Sequence, residues 1–233
     1  MDLLRSKRVI ILGIGGVGSW CAESLLRTGI RHLTLVDFDE ICASNINRQL
    51  HATVKKIGLP KVEVLKTRLL EINPTAEISA IQKIYTADTH DYFQLDSYDF
   101  IIDAIDSLES KIHLIRMATR TNAVFFSSMG AALKMDATRI KIAEFWKVHT
   151  CPLASAIRQR IKKGDLPAKK FLCVYSDEVL ENKGLSASDL PQVSVTSGDV
   201  EIKKRVNGTV CHITAIFGFT LASLVVQSIV EED

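Results

Sequence analysis

Apolar residues in this chain fall in short unbroken runs separated by stretches of helical spacing. Val9-Ile10-Ile11-Leu12 is too short for a helix and rich in β-branched side chains, so it predicts a strand buried on both faces. Gly13, Gly15, Gly16 and Gly18 break that run in a G-x-G-G-x-G order. Residues 20–26 then carry helical spacing up to Gly29, a helix stop. Leu33-Thr34-Leu35-Val36 predicts a second buried strand, ending at Asp37. Residues 40–57 read as the crossover that follows, with Ser44 or Asn45 capping a short helix that bears Arg48 and Gln49. Lys61 opens a helix to Ile72, and Asn73-Pro74 stops it. Strands are predicted at 77–81, 99–103 and 123–127, a short helix at 89–95 and a longer one at 108–120, with a Met129-Gly130-Ala131-Ala132 loop to follow.

Strand and helix in alternation predict an α/β fold with a Rossmann-like, doubly wound, mostly parallel sheet. The second half is less regular. Residues 138–143 alternate as a half-buried strand does, and 152–163 read as a helix with Ile157 and Ile161 on one face. The polar stretch 179–208 reads as a mobile loop or lid. Residues 213–230 are apolar and long enough to span a membrane, but Thr214, Thr220, Ser223, Gln227 and Ser228 interrupt them and no basic cluster flanks them. A helix covering the sheet or lining a dimer interface is expected there, with membrane association as the alternative. The expectation is one domain over 1–233, with 9–135 as its nucleotide-binding half and 136–233 as its substrate and dimer part.

Composition narrows this little. A chain of 233 residues with 47% hydrophobic content can bury one large α/β core. A formal net charge of +2 carries no overall nucleic-acid signature, although Arg158, Arg160, Lys162, Lys163, Lys169 and Lys170 crowd together against Asp165 as the one acid. That cluster is either a solvated helix face or a contact for RNA phosphates. The cysteines at 21, 42, 151, 173 and 211 form no C-x-x-C pair, which argues against structural zinc and fits a reducing cytoplasm.

The chemistry lies at the strand ends. A strand, a glycine turn and a helix start bring backbone N–H groups close to a phosphate, an arrangement shared by enzymes of NAD, FAD, SAM and ATP. Asp37, about 20 residues past the glycines, suits a ribose hydroxyl. A nicotinamide enzyme needs nothing more. This chain adds Asp39, Arg48, Lys61 and the Asp103-Ala104-Ile105-Asp106-Ser107 turn. Cations beside a carboxylate that holds Mg²⁺ suit a triphosphate under attack and have no task in hydride transfer.

The set G-x-G-G-V-G-S, V-D-F-D, N-x-N-R-Q, G-L-P-K and D-A-I-D-S resembles the adenylating enzymes of the ubiquitin-activating, ThiF-type superfamily. Ser127-Ser128-Met129-Gly130-Ala131, Pro152-Leu153, Val174-Tyr175-Ser176-Asp177-Glu178, Gly208-Thr209-Val210 and Phe217-Gly218 extend the likeness toward its tRNA threonylcarbamoyladenosine dehydratases. The resemblance implies ATP-dependent cyclisation of N6-threonylcarbamoyladenosine in tRNA through an acyl-adenylate. It implies ATP contacts from Gly13, Gly15, Gly16, Gly18, Asp37, Asp39, Asn45, Arg48, Gln49, Lys61, Ala104 and Ile105. Arg48, Lys61 and Asp106 take the catalytic roles, Asp106 faces Mg²⁺ and Asp103 fixes the loop. It also implies a homodimer, tRNA on the basic cluster, and room for a sulfur-transfer or electron-supplying protein partner. Two departures stand out. An N-terminal helix whose arginine reaches the partner's ATP in some relatives is only partly present, with Arg5 as its remnant or as a solvated residue. The cysteine usual before Gly-Thr-Val is Asn207 here. Rival readings are adenylation of a small sulfur-carrier protein's C-terminus, an NAD(P)-dependent dehydrogenase, and a nucleotide-binding scaffold without catalysis.

Overall fold

The computed structural model describes residues 2–182 and 207–231. Its strands and helices follow the chain as α1 (Asp2–Ser6), β1 (Arg8–Leu12), α2 (Gly18–Thr28), β2 (His32–Val36), α3 (Lys61–Ile72), β3 (Glu77–Ile81) and β4 (Phe100–Asp103). They continue as α4 (Leu108–Ala118), β5 (Val124–Ser128), β6 (Ile140–Glu144), α5 (Pro152–Ile161), β7 (Leu172–Ser176) and α6 (Cys211–Glu231). One seven-stranded sheet runs β3-β2-β1-β4-β5-β7-β6, parallel except where β6 pairs antiparallel with β7. Its order reverses between β1 and β4, and in doubly wound sheets the crevice that takes the ligand lies at the carboxyl ends of the strands beside such a reversal.

Strand periodicity divides the core in two. Val9 and Ile11 face a layer with Leu33, Leu35 and Ile102 under α2, α3 and α6, while Ile10 and Leu12 face Val36, Ile101 and Phe125 under α4 and α5. Both faces of β1 are therefore buried, as its unbroken apolar run requires. Gly29 ends α2 at φ 116°, and the Gly29 and Ile30 N–H groups return to Leu26 and Leu25 carbonyls.

Several elements differ from the sequence reading. Leu172–Ser176, carried there only as part of a motif, is a strand that inserts between β5 and β6. The predicted helix at 89–95 is two short 3₁₀ turns, His90–Phe93 and Leu95–Ser97, because Gln94 sits between them at φ 45°. The crossover turn is capped at Cys42, and Asn45 is its third residue, bonding back to the Cys42 N–H. The 179–208 loop lies outside the described residues apart from its ends, where Asn182 Nδ2 donates to Asn207 Oδ1 at 3.0 Å.

Helix α6 is long and apolar enough to cross a membrane by length and composition, yet 56% of its most apolar window is buried within the fold. Ile213, Phe217, Leu221, Val225 and Ile229 pack into the α2 side of the core. Gly218 lets the two helices touch: a Cβ there would lie 2.5 Å from the Val17 carbonyl oxygen and 2.8 Å from the Cys21 nitrogen.

Candidate nucleotide-binding and adenylation site

Gly13 leaves β1 at φ 93°, a conformation only glycine adopts easily, and a Cβ there would strike the Ala104 carbonyl at 2.5 Å. Gly18 starts α2 so close to the Gly13 carbonyl that a Cβ would come within 1.9 Å of it. These two glycines are demanded by the fold. Gly15 is not, since a Cβ there would meet nothing nearer than Gln49 Nε2 at 3.8 Å. Such room for close approach beside a helix N-terminus is what a phosphate needs.

The end of β2 supplies the charges. Asp37 Oδ2 accepts the Ile14 N–H at 2.7 Å and Oδ1 accepts the Asp39 N–H at 2.9 Å, which pins the glycine turn to the strand. Burial raises the Asp37 carboxyl above its usual range, against the pull of Lys61 and those two N–H donors. A carboxylate has about four lone-pair sites, so acceptor capacity remains for a ribose hydroxyl. Lys61 is buried at the first position of α3, its Nζ 2.6 Å from Asp39 Oδ2 and 3.9 Å from Asp37 Oδ1.

The crossover folds back onto this turn. Ser19 Oγ accepts the Leu50 N–H at 3.3 Å, and Trp20 Nε1 donates to the Arg48 carbonyl at 3.1 Å. Arg48 itself bonds the Ser44 carbonyl and Asn47 Oδ1, so its guanidinium rests on its own turn. Gln49 and His51 are buried, and Gln49 Oε1 and both His51 ring nitrogens lack hydrogen-bond partners. Burial first, and the charge of Lys61 second, push the His51 imidazole down to about 4.

Across the crevice, Ala104 donates its N–H to the Leu12 carbonyl at 2.8 Å and Asp103 Oδ1 accepts the Ile105 N–H at 3.1 Å. Asp103 is wholly buried and bound to Lys111, whereas Asp106 stands exposed on the same turn. Among the described residues no three His, Cys, Asp or Glu side chains gather as a metal cluster. Mg²⁺ needs only one or two carboxylates when phosphates complete its shell, and Asp106 fits that donor set.

The matching family model spans residues 1–232 and describes the ThiF family. The chain belongs to the ThiF family. Among its ThiF relatives, the tRNA threonylcarbamoyladenosine dehydratase of Bacillus subtilis is 40% identical over 178 residues, 76% of this chain and 70% of that one. The Escherichia coli dehydratase is 34% identical over 237 residues, 96% of this chain and 86% of that one. Its crystal structure in complex with ATP matches with a TM-score of 0.85 over 99% of this chain and 88% of that one. The molybdopterin-synthase adenylyltransferase of Haemophilus influenzae is 31% identical over 141 residues, covering 58% of this chain and 54% of that one.

The other residues singled out in the sequence are distributed more widely over this ThiF chain. Arg5 lies at the far end of α2 from the glycine turn of its own chain, lining a cavity of about 330 Å³ with Arg27, Arg31 and Asn73. Asp165, expected to face the basic cluster, pairs with Arg120 instead, and the cluster finds other partners. Arg160 pairs with Glu109 at the start of α4, Arg158 donates to the Phe145 carbonyl at 3.1 Å, and Lys169 Nζ bonds the Thr121 and Ala123 carbonyls. Lys169 thus ties two loops together and is no part of a free cationic face. Lys162, Lys163 and Lys170 stay exposed.

The sequence reading passed over His51 and Lys111, and noted Thr214 only as a polar interruption of an apolar stretch. Thr214, whose side chain stands 3.1 Å from where a Gly16 Cβ would be, puts α6 against the glycine turn, and its origin some 200 residues away gave no signal. Lys111 did leave one: it occupies the buried stripe of α4 with Ile112, Ile115 and Ala118.

Proposed function

We propose that this chain is an ATP-dependent tRNA threonylcarbamoyladenosine dehydratase, which closes the threonylcarbamoyl side chain of the modified adenosine into a ring with loss of water. A carboxylate oxygen of the side chain attacks the α-phosphorus of ATP and pyrophosphate leaves. A nitrogen of the same side chain then attacks the acyl carbon, and AMP leaves. Because the second attack is intramolecular, positioning supplies most of its advantage.

The glycine turn at the α2 N-terminus carries this reading, since the Ile14 N–H beside Gly15 is bonded to Asp37, and Asp37 stands with Lys61 and Asp39. The turn N–H groups receive phosphate oxygens, Asp37 and Asp39 orient the ribose, and Asn45 holds the crossover turn that presents Arg48 and Gln49. Lys61 and Arg48 offset charge that builds on the phosphoryl oxygens during attack. Asp106 would hold Mg²⁺, which when bound screens the triphosphate. Further parts of the proposal are a homodimer, a cytoplasmic setting, tRNA on the exposed lysines at 162, 163 and 170, and an accessory protein that transfers sulfur or electrons.

Whole-length similarity to the dehydratases favours this recipient over a sulfur-carrier protein, whose adenylating relative matches little more than half of the chain. Pyrophosphate exchange measured with modified tRNA or with a carrier protein separates the two. Stimulation by the tRNA alone is expected, and stimulation by the carrier alone overturns the assignment.

A further inference from the structure

Beneath the crevice lies a polar row that the nucleotide-binding roles leave unused. Asp103, Ser127 and Cys173 are register partners across β4, β5 and β7, so their side chains share one face of the sheet. Lys111 reaches this row from α4. Its Nζ lies 2.6 Å from Asp103 Oδ2 and 3.5 Å from Ser127 Oγ, while Ser127 Oγ donates to the same Asp103 oxygen at 2.6 Å. Both members of the ion pair are 0% exposed.

A pair so deeply buried is a poor device for stability, because desolvating two charges offsets most of their attraction and an apolar pair of similar volume serves as well or better. What it does offer is direction. With Oδ2 saturated by Lys111 and Ser127, Asp103 must turn Oδ1 toward the Ile105 N–H, 3.1 Å away. Together with the Ala104 N–H bond to the Leu12 carbonyl, that bond sets the course of the turn that leads to Asp106, whose Ala104 and Ile105 backbone passes so close to Gly13 that no Cβ fits between them. One side-chain geometry therefore fixes two neighbours of the nucleotide: the back of the glycine turn and the backbone that carries Asp106.

We infer that Lys111 is a positioning residue for the adenylation step, locking Asp103 in the rotamer that holds the 104–106 turn and so presenting Asp106 to the metal-bound triphosphate. This rests on the adenylation reading of the site, and it adds a residue from the opposite layer of the fold. Lys111 touches neither substrate nor metal. It acts through Asp103.

Two double variants separate positioning from packing. Asp103→Leu with Lys111→Met removes both charges and the acceptor for Ile105. Asp103→Asn with Lys111→Met also removes both charges, but retains a side-chain carbonyl for Ile105 and an amide N–H for Ser127. Both are expected to melt near the wild-type temperature. Calorimetric titration of ATP at graded Mg²⁺ should then show the Leu/Met protein needing on the order of tenfold more Mg²⁺ for half-maximal ATP binding. The Asn/Met protein keeps the acceptor but not the lysine that orients it, and should show a similar shift, whereas Lys111→Arg, which keeps a cation on Asp103 Oδ2, should stay near the wild type. Wild-type Mg²⁺ dependence in a well-folded Asn/Met protein overturns the inference, as does a Lys111→Arg protein whose shift is as large as that of Asn/Met. Failure of the wild-type protein itself to bind ATP with Mg²⁺ overturns the adenylation reading, and this inference with it. That outcome is recognised before either variant is made.

Discussion

His51 shows how a single side chain reports on the site. Its folded imidazole titrates near 4 against about 6.5 when unfolded, so the unfolded chain binds the extra proton between those values. The stabilising contribution is complete above pH 6.5 and disappears as pH falls through 4. A shift of that size corresponds to at most about 3 kcal/mol. In chemical denaturation at several pH values, the stability gap between the wild type and His51→Gln should narrow by up to that amount from pH 7 to 4. Parallel curves would show that the ring is not held neutral. Lys61 calls for a rate measurement. Lys61→Ala and Arg48→Ala should each slow pyrophosphate exchange on the order of a hundredfold, since one transition-state contact is worth about 3 kcal/mol. Lys61→Ala also strips the counter-charge from the largely covered Asp37 carboxylate, so it should lower the melting temperature, whereas Arg48→Ala, at a side chain resting on its own turn, should not. Near-wild-type exchange in both would remove them from the chemistry.

At the scale of elements, the glycines fall into two groups that a melting curve and a nucleotide titration tell apart. Gly218→Ala forces α6 off α2, with an overpacking cost of about 1–3 kcal/mol, and should melt early. Gly15→Ala meets no protein atom within 3.8 Å and should melt like the wild type, yet lose ATP affinity on the order of tenfold, because its methyl occupies the phosphate's approach. An unchanged ATP affinity would show that the phosphates lie elsewhere. The sequence reading recognised all four turn glycines as one motif and did not separate their tasks, which depend on what packs behind each. Legibility elsewhere followed the same division. Helix Lys61–Ile72 and strand Glu77–Ile81 were readable to the residue because a proline, a glycine or a polar pair bounds each one. Strand β7 was read only as a motif although the apolar run 171–175 carries a buried strand's pattern; what local pattern does not encode is its insertion between β5 and β6. Asp37, Asp39 and Lys61 meet at the ends of β2 and α3, elements whose order the chain announces, and Lys111 lies on the helix just after β4, but Thr214 arrives from an element far along the chain.

Over the whole molecule the question is where a tRNA would rest while its modified base enters the crevice. The cluster read from sequence is reduced by its own fold, since Arg158, Arg160 and Lys169 each satisfy a carbonyl or carboxylate of this chain. What survives is Lys162, Lys163 and Lys170, exposed around the end of α5, whose Arg160 reaches Glu109 three residues past Asp106 on the α4 side of the crevice. A phosphate backbone lying there could follow that side toward the nucleotide. Contacts of this kind add affinity through counterion release and carry no sequence preference. Replacing all three lysines by alanine should therefore raise KM for tRNA and make the slope of log affinity against log salt shallower by about two to three. ATP affinity without tRNA should stay unchanged. The two readouts oppose a general loss of fold, which would weaken both ligands together. An unaltered salt slope would mean that the RNA approaches across another face, and would leave these lysines as the solvated end of a helix.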